Sequence, residues 1–220
     1  MTVDVQPVSE LPDPADFGFT VVERDALPTE LLALVDQVRT LADTVAHTGA
    51  DAAELAAASR VVADLSERLD VRRRPLGTMF SQVAPDGRID YGTVANVVNG
   101  PLNPIAPPLE LRPDGEGLSG EVTLVGLYEG PPGLVHGGWI AAMLDQALGE
   151  VAATAGGASL TANLDVNYRK PTPLNAPLTV TSRVTGVERR KVLVSGEIRH
   201  NGEITAEGTA VMVKIALPGS

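Results

Sequence analysis

The chain has no cysteine among its 220 residues. That excludes disulfides, thiol nucleophiles and thiolate metal sites, and it fits the reducing cytoplasm. Aromatic residues make up only 3% of the sequence, so the core has to be built from Val, Leu, Ile and Ala. Histidines are scarce too. His47, His136 and His200 do not cluster along the chain, and no metal site is expected. No uncharged apolar run reaches the roughly 18 residues of a membrane span. The acidic, proline-bearing start is unlike a secretory signal. Positive charge is short overall: the formal net charge is −11, which argues against non-specific nucleic-acid binding.

What is present is an ordinary soluble globular composition, 44% hydrophobic and 20% charged. The charge is unevenly spread. Residues 161–220 hold eight Lys/Arg against five Asp/Glu, while residues 1–160 hold nine against twenty-three. A polyanionic ligand is therefore expected at the C-terminal third.

The most informative stretch is residues 131–156. Pro131, Pro132 and Gly133 read as a loop, and a helix is expected from 138 to 155, stopped at Gly156-Gly157. Its apolar residues, among them Trp139, Met143, Leu144, Leu148 and Val151, cover nearly every side, the pattern of a buried helix. Asp145 sits in the middle, and a lone carboxylate there is costly unless it is paired or has a chemical role. At the start, His136-Gly137-Gly138 places residues without side chains where the first free N–H groups emerge. Those groups and the helix dipole favour negative charge, including a developing oxyanion.

The run Gly133-Leu-Val-His-Gly-Gly138, the acid at Asp145 and the later Leu160-Thr-Ala-Asn-Leu-Asp-Val-Asn-Tyr-Arg-Lys-Pro171 together resemble the hotdog-fold acyl-CoA thioesterases. The resemblance is greatest to the PaaI-type branch, which includes the mitochondrial long-chain thioesterases, and it covers about residue 106 to about Leu217. It implies an α+β hotdog fold, a curled antiparallel sheet around a long central helix. It also implies hydrolysis of an acyl-CoA, as in fatty acid metabolism. Coenzyme A would then be part of the substrate, with no separate cofactor.

Spacing carries the chemistry further. Gly137 and Asp145 lie about 12 Å apart along one helix, yet a thioester carbonyl must sit about 3 Å from both its oxyanion donor and its attacking group. One subunit cannot supply both. Two antiparallel helices across a two-fold axis can, so a homodimer with two shared sites is expected, or a dimer of such dimers. The family is known for that arrangement. Asp145 would act as general base on water or as nucleophile. The N–H of Gly137, with Gly138, would polarise the carbonyl. Thr161 matches the position of a hydroxyl that places the water in related enzymes, and an ordinary strand threonine is the even alternative. His136 is read as shaping the turn ahead of acting as a base, Trp139 as core, and Glu150 as a solvated group near the helix end. Arg169, Lys170, Arg189, Arg190 and Lys191 are candidates to hold the phosphates of coenzyme A, with solvated strand ends and turns as the even alternative. Two other functions remain open: a hotdog hydratase or dehydratase on a thioester, and a non-enzymatic acyl-CoA-binding protein.

The rest divides into an extended arm (1–27), a helical hairpin (28–75) and the main domain (76–220). In the hairpin, Leu31, Leu34, Val38, Leu41 and Val45, then Leu55, Ala58, Val62, Leu65 and Leu69, keep helical spacing. Asp51 and Glu54 form a capping box for the second helix, and the short link implies that the two helices pack antiparallel. His47 is read as solvated or capping, and Arg72-Arg73-Arg74 as a basic helix end. A strand is expected at Tyr91–Val98, and a hairpin of Leu109–Arg112 with Gly120–Tyr128. Leu160–Tyr168 alternates, with Leu160, Ala162, Leu164, Val166 and Tyr168 on one face and Thr161 on the other. Strands then follow at Leu178–Val187, Lys191–His200 and Ile204–Ile215, the last two joined at Asn201-Gly202.

Overall fold

A computed structural model describes residues 13–83, 87 and 89–215. Its centre is α3, Gly137–Gly156. Met143, Leu144, Ala147, Leu148 and Ala152 on this helix have no solvent exposure, because one side of it is packed on a sheet. Gly157, at φ 78°, ends the helix in a conformation that suits glycine.

The sheet has six strands in the order β4-β5-β7-β8-β9-β6. These are β4 Arg112–Asp114, β5 Gly117–Thr123, β6 Ser159–Tyr168, β7 Pro177–Glu188, β8 Lys191–His200 and β9 Glu203–Lys214. Every neighbouring pair is antiparallel. Asn201 and Gly202 both have positive φ, 48° and 80°, so the β8–β9 link is the tight turn that Asn-Gly favours. Leu178, Val180, Val192 and Ile198 are fully buried. Together with the inner side of α3 they form the core.

A second sheet of three strands holds β1 Val21–Glu23, β2 Met79–Val83 and β3 Ile89–Thr93. Neither β1 nor β2 is evident from sequence pattern. The strand expected at Tyr91–Val98 ends at Thr93, because the Asn96 side chain accepts hydrogen bonds from the N–H groups of Val98 and Asn99 at 2.7 and 3.3 Å and folds the chain into turns. The expected first hairpin is also shifted. Arg112 pairs with Ser119, and Gly126–Tyr128 leaves the sheet as a short 3-10 helix.

Two helices lie in the N-terminal part, α1 Thr29–His47 and α2 Ala52–Leu69. The Asp51–Glu54 capping box is present. Antiparallel packing of the two helices on each other is absent among the described residues: α1 meets the 3-10 helix at Gly126–Tyr128, and α2 has no buried residue. The competing contact is polar and specific. An Asp43 carboxylate oxygen accepts from the Leu127 N–H at 2.8 Å. His47 lies so close over Gly126 that a side-chain Cβ there would clash with its ring. Val35 is buried, whereas Leu41 and Val45 of the expected stripe stay exposed.

Candidate functional site

The approach to α3 is built tightly. The His136 N–H donates to Tyr128 O and the Val135 N–H to Thr172 O, each at 2.9 Å. A Cβ on Gly130 would sit 2.7 Å from His136 Cα, so glycine is required there. His136 caps the helix: its Nδ1 accepts from the Gly138 N–H at 2.9 Å. This corrects one expectation, because the Gly138 N–H is already committed and is a poor second oxyanion donor. The Gly137 N–H has no acceptor among the described residues. It is the one amide at this end left able to bind an incoming oxygen.

Tyr168 covers the same point. Its hydroxyl donates to Gly137 O at 3.0 Å, and its ring lies against the glycine. Sequence reasoning gave it no role beyond its place on a strand. The reason lies in β6. The pairing of β6 with β9 slips by one residue between Thr161 and Asn163, which is a β-bulge. Thr161 and Tyr168 are seven positions apart and would face opposite sides of a regular strand. The extra residue returns both to the side facing α3. The expected alternation is corrected accordingly: Leu164 and Val166 pack on the core, while Leu160 is 63% exposed.

Thr161 therefore reaches the helix, and its hydroxyl donates to an Asp145 carboxylate oxygen at 2.8 Å. Asp145 is half-buried. Within one chain, Gly137 with Tyr168 and Asp145 with Thr161 form two separate pairs, set apart by the about 12 Å already inferred from helix rise.

The basic candidates also fall into two groups. Arg169 pairs with Glu207 at 2.5 Å, and Lys170 with Glu203 at 2.8 Å. The Lys170 ammonium holds the Glu203 carboxyl below its usual range. Arg169 and Lys170 line a depression of about 390 Å³ with Pro131, Val135, Gly137 and Tyr168. Arg189, Arg190 and Lys191 lie at the turn between β7 and β8, beside the other end of β6. That puts them about 30 Å from the first group at strand rise. Arg190 donates to Lys214 O at 3.2 Å, and none of the three has an acidic partner among the described residues.

Glu150 departs from its reading as a solvated group. It accepts hydrogen bonds from Asn99 Nδ2 at 2.5 Å and Gln146 Nε2 at 2.9 Å, and Asn96 donates to Gln146 in turn at 3.1 Å. Burial pushes its carboxyl upward. The Gln146 hydrogen bond opposes that shift, and the charge of Asp90 adds to it. No sequence period reveals this network, because Asn96 and Asn99 come from a loop some fifty residues away.

Comparison with known proteins settles the class of the domain. The thioesterase superfamily model matches residues 132–207. These residues form a thioesterase superfamily domain. It contains α3, β6, β7, β8 and the start of β9, so both residue pairs lie within it. Acyl-coenzyme A thioesterase THEM4 of Xenopus laevis is 42% identical over 89 residues, 40% of either chain. THEM4 of Bos taurus is 39% identical over 89 residues, 40% of this chain and 36% of that one. The chain thus spans about 40% of the length of these curated relatives. A crystal structure of RHA08564, a thioesterase superfamily protein, matches with a TM-score of 0.74 and 29% identity over 88% of this chain and 98% of that one. The thioesterase domain and its surroundings thus have the α+β hotdog fold that the sequence implied.

Proposed function

We propose that this chain hydrolyses an acyl-CoA thioester to a free acid and coenzyme A. The observation that carries the reading is the hydrogen-bonded pair Asp145–Thr161 on the same helix-and-strand frame as the unoccupied Gly137 N–H. Identity to the THEM4 thioesterases over the same region supports it.

In this reading the site is shared between two subunits. Among the described residues β6 is an unpaired sheet edge, and its Leu160 and Tyr168 are 63% and 55% exposed. Such an edge is a template for another strand. Antiparallel pairing of β6 with β6 of a second copy sets the Thr161 end of one against the Tyr168 end of the other. Asp145 of one subunit then faces Gly137 of the partner subunit. The Gly137 N–H binds the thioester oxygen. Thr161 holds Asp145 and the attacking water in line, and Asp145 takes a proton as the water oxygen bonds to the carbonyl carbon. The tetrahedral oxyanion collapses, the carbon–sulfur bond breaks, and the thiolate leaves with a proton. Direct attack by Asp145 is the variant of this step, giving an anhydride that water cleaves. Arg189, Arg190 and Lys191, free of acidic partners, are better placed to meet phosphates than Arg169 and Lys170, which must first release Glu207 and Glu203. The hydratase reading needs a histidine free for proton transfer, and His136 Nδ1 is engaged at the helix cap.

The test is Asp145→Asn, assayed by thiol release from short, long and aromatic acyl-CoAs. Turnover on the best substrate is expected to fall about 10²–10⁴-fold with the fold intact, the scale of a lost general base. Near wild-type hydrolysis by the variant overturns the role of Asp145. A wild-type chain inert on the whole panel overturns the activity.

A further inference from the structure

We infer that α2 is an interaction surface for a second copy of this chain, and that the two α2 helices lie antiparallel. The inference is independent of the proposed activity. It rests on a helix with no buried residue among the described residues. Among the described residues α2 carries no buried position and packs along no other element. It is nonetheless a well-made helix, with its first turn closed by the reciprocal Asp51–Glu54 bonds.

Its surface is not uniformly polar. Leu55, Ala58, Val62, Leu65 and Leu69 recur at alternating steps of three and four and form one straight stripe. Leu55, Val62 and Leu69 are 46%, 41% and 51% exposed. A three-four stripe is the seam of a two-helix pair, and two small residues on or beside it, Ala58 and Ser59, allow close approach.

Charge selects both the occupant and the direction. The N-terminal end of the stripe is acidic, with Asp51 and Glu54. At the C-terminal end Arg68 and the cluster Arg72–Arg74 outnumber Asp64, Glu67 and Asp70; Arg68 lies 3.8 Å from Asp64, and Arg73 pairs with Asp70. Glu54 and Arg68 each immediately precede a stripe leucine, so they flank the same edge of the seam. A parallel pair would set acid on acid and base on base. An antiparallel pair with its two-fold near Val62 sets Leu55 toward Leu69 of the partner subunit. It brings Glu54 toward Arg68 of the partner subunit, and the symmetry makes that contact twice. The stripe is thus complementary to itself.

The absence of native cysteine makes the test direct, because every introduced thiol is the only one in its subunit. Three full-length variants are needed, Val62→Cys, Leu55→Cys and Leu69→Cys, with Arg60→Cys on the opposite side of the helix as a control. Each is treated at low micromolar concentration with a short bis-maleimide and run on a denaturing gel. The expected result is a covalent dimer from Val62→Cys alone, and another from a subunit-exchanged mixture of Leu55→Cys with Leu69→Cys. Leu55→Cys alone, Leu69→Cys alone and Arg60→Cys are expected to stay monomeric on the gel. Self-linking of Leu55→Cys in place of the mixture means a parallel pair and overturns the inference. So does the absence of any link above the control, which would leave α2 to a different partner. None of these positions is buried in its own subunit, so loss of folding does not confound the result.

Discussion

Two helices of nearly equal length hold together for opposite reasons. α3 has 20 residues, among them Gly137, Gly138, Gly149 and Gly156, and a sequence so glycine-rich is a poor helix in water. It exists because a sheet packs along its buried side. α2 has 18 residues, a complete capping box and mostly strong helix formers, and none of its residues is buried among the described residues. One helix is held by tertiary structure and carries the proposed catalytic residues. The other is held by local structure and leaves its side chains available. The contrast shows where each kind of substitution acts.

The largest test of that contrast is a pair of truncations. Leu148→Ala removes a side chain with no exposure from the contact of α3 with the sheet. It should cost about 2–5 kcal/mol of unfolding free energy, as buried leucines do. Val61→Ala in α2, at an exposed position outside the apolar stripe, should stay within about 0.5 kcal/mol. Chemical denaturation of both variants measures the difference, and equal losses would abolish the contrast.

A smaller effect separates buried from exposed charge. The folded state binds a proton at Glu150 more tightly than the unfolded chain does, because burial raises its carboxyl. Stability from this group is therefore complete below the ordinary glutamate range and declines as pH rises through the raised folded value. Glu150→Gln should flatten that decline and raise the melting temperature at neutral pH relative to wild type. Melting curves from pH 4 upward check the sign; a variant less stable than wild type at neutral pH contradicts it.

The smallest global effect is expected at the cap of α2. Asp51→Ala removes the acceptor for the Ala53 and Glu54 N–H groups, and such caps contribute about 0.5–2 kcal/mol to their helix. With no packing to transmit the loss, faster amide exchange should be confined to α2. Exchange mapped by mass spectrometry tests this, and accelerated exchange in α3 would show hidden coupling between the helices.

The legibility of the fold followed the same division. The two N-terminal helices, the capping box, α3 and the Asn201-Gly202 hairpin are local patterns, and periodicity or turn chemistry was enough to find them. The three-stranded sheet was hidden because β1 and β2 lie far apart in sequence, separated by both N-terminal helices, and each is only a few residues long. The link between α1 and α2 looked like a hairpin because a short loop suggests one. Asp43 and His47 instead tie α1 to Gly126 and Leu127, a competition that no helical period records. In the candidate site, Asp145, Gly137 and Thr161 stood out from helix chemistry and family likeness. The commitment of the Gly138 N–H to His136, and the presence of Tyr168 over Gly137, depend on rotamers and on strand phase.

That phase has a consequence for how the chain tolerates change in length. Ala162 contributes no side-chain chemistry of its own, and it is the extra residue that the bulge absorbs so that the two ends of β6 stay in step around it. Deleting it would restore regular pairing and leave every named polar residue in the sequence. The ladder would close with Thr161 and Tyr168 six positions apart, and both would still face α3. In this strand the bulge uncouples the count of residues from the side that they face. A descendant with a one-residue gap here would lose one letter of the motif and keep the geometry.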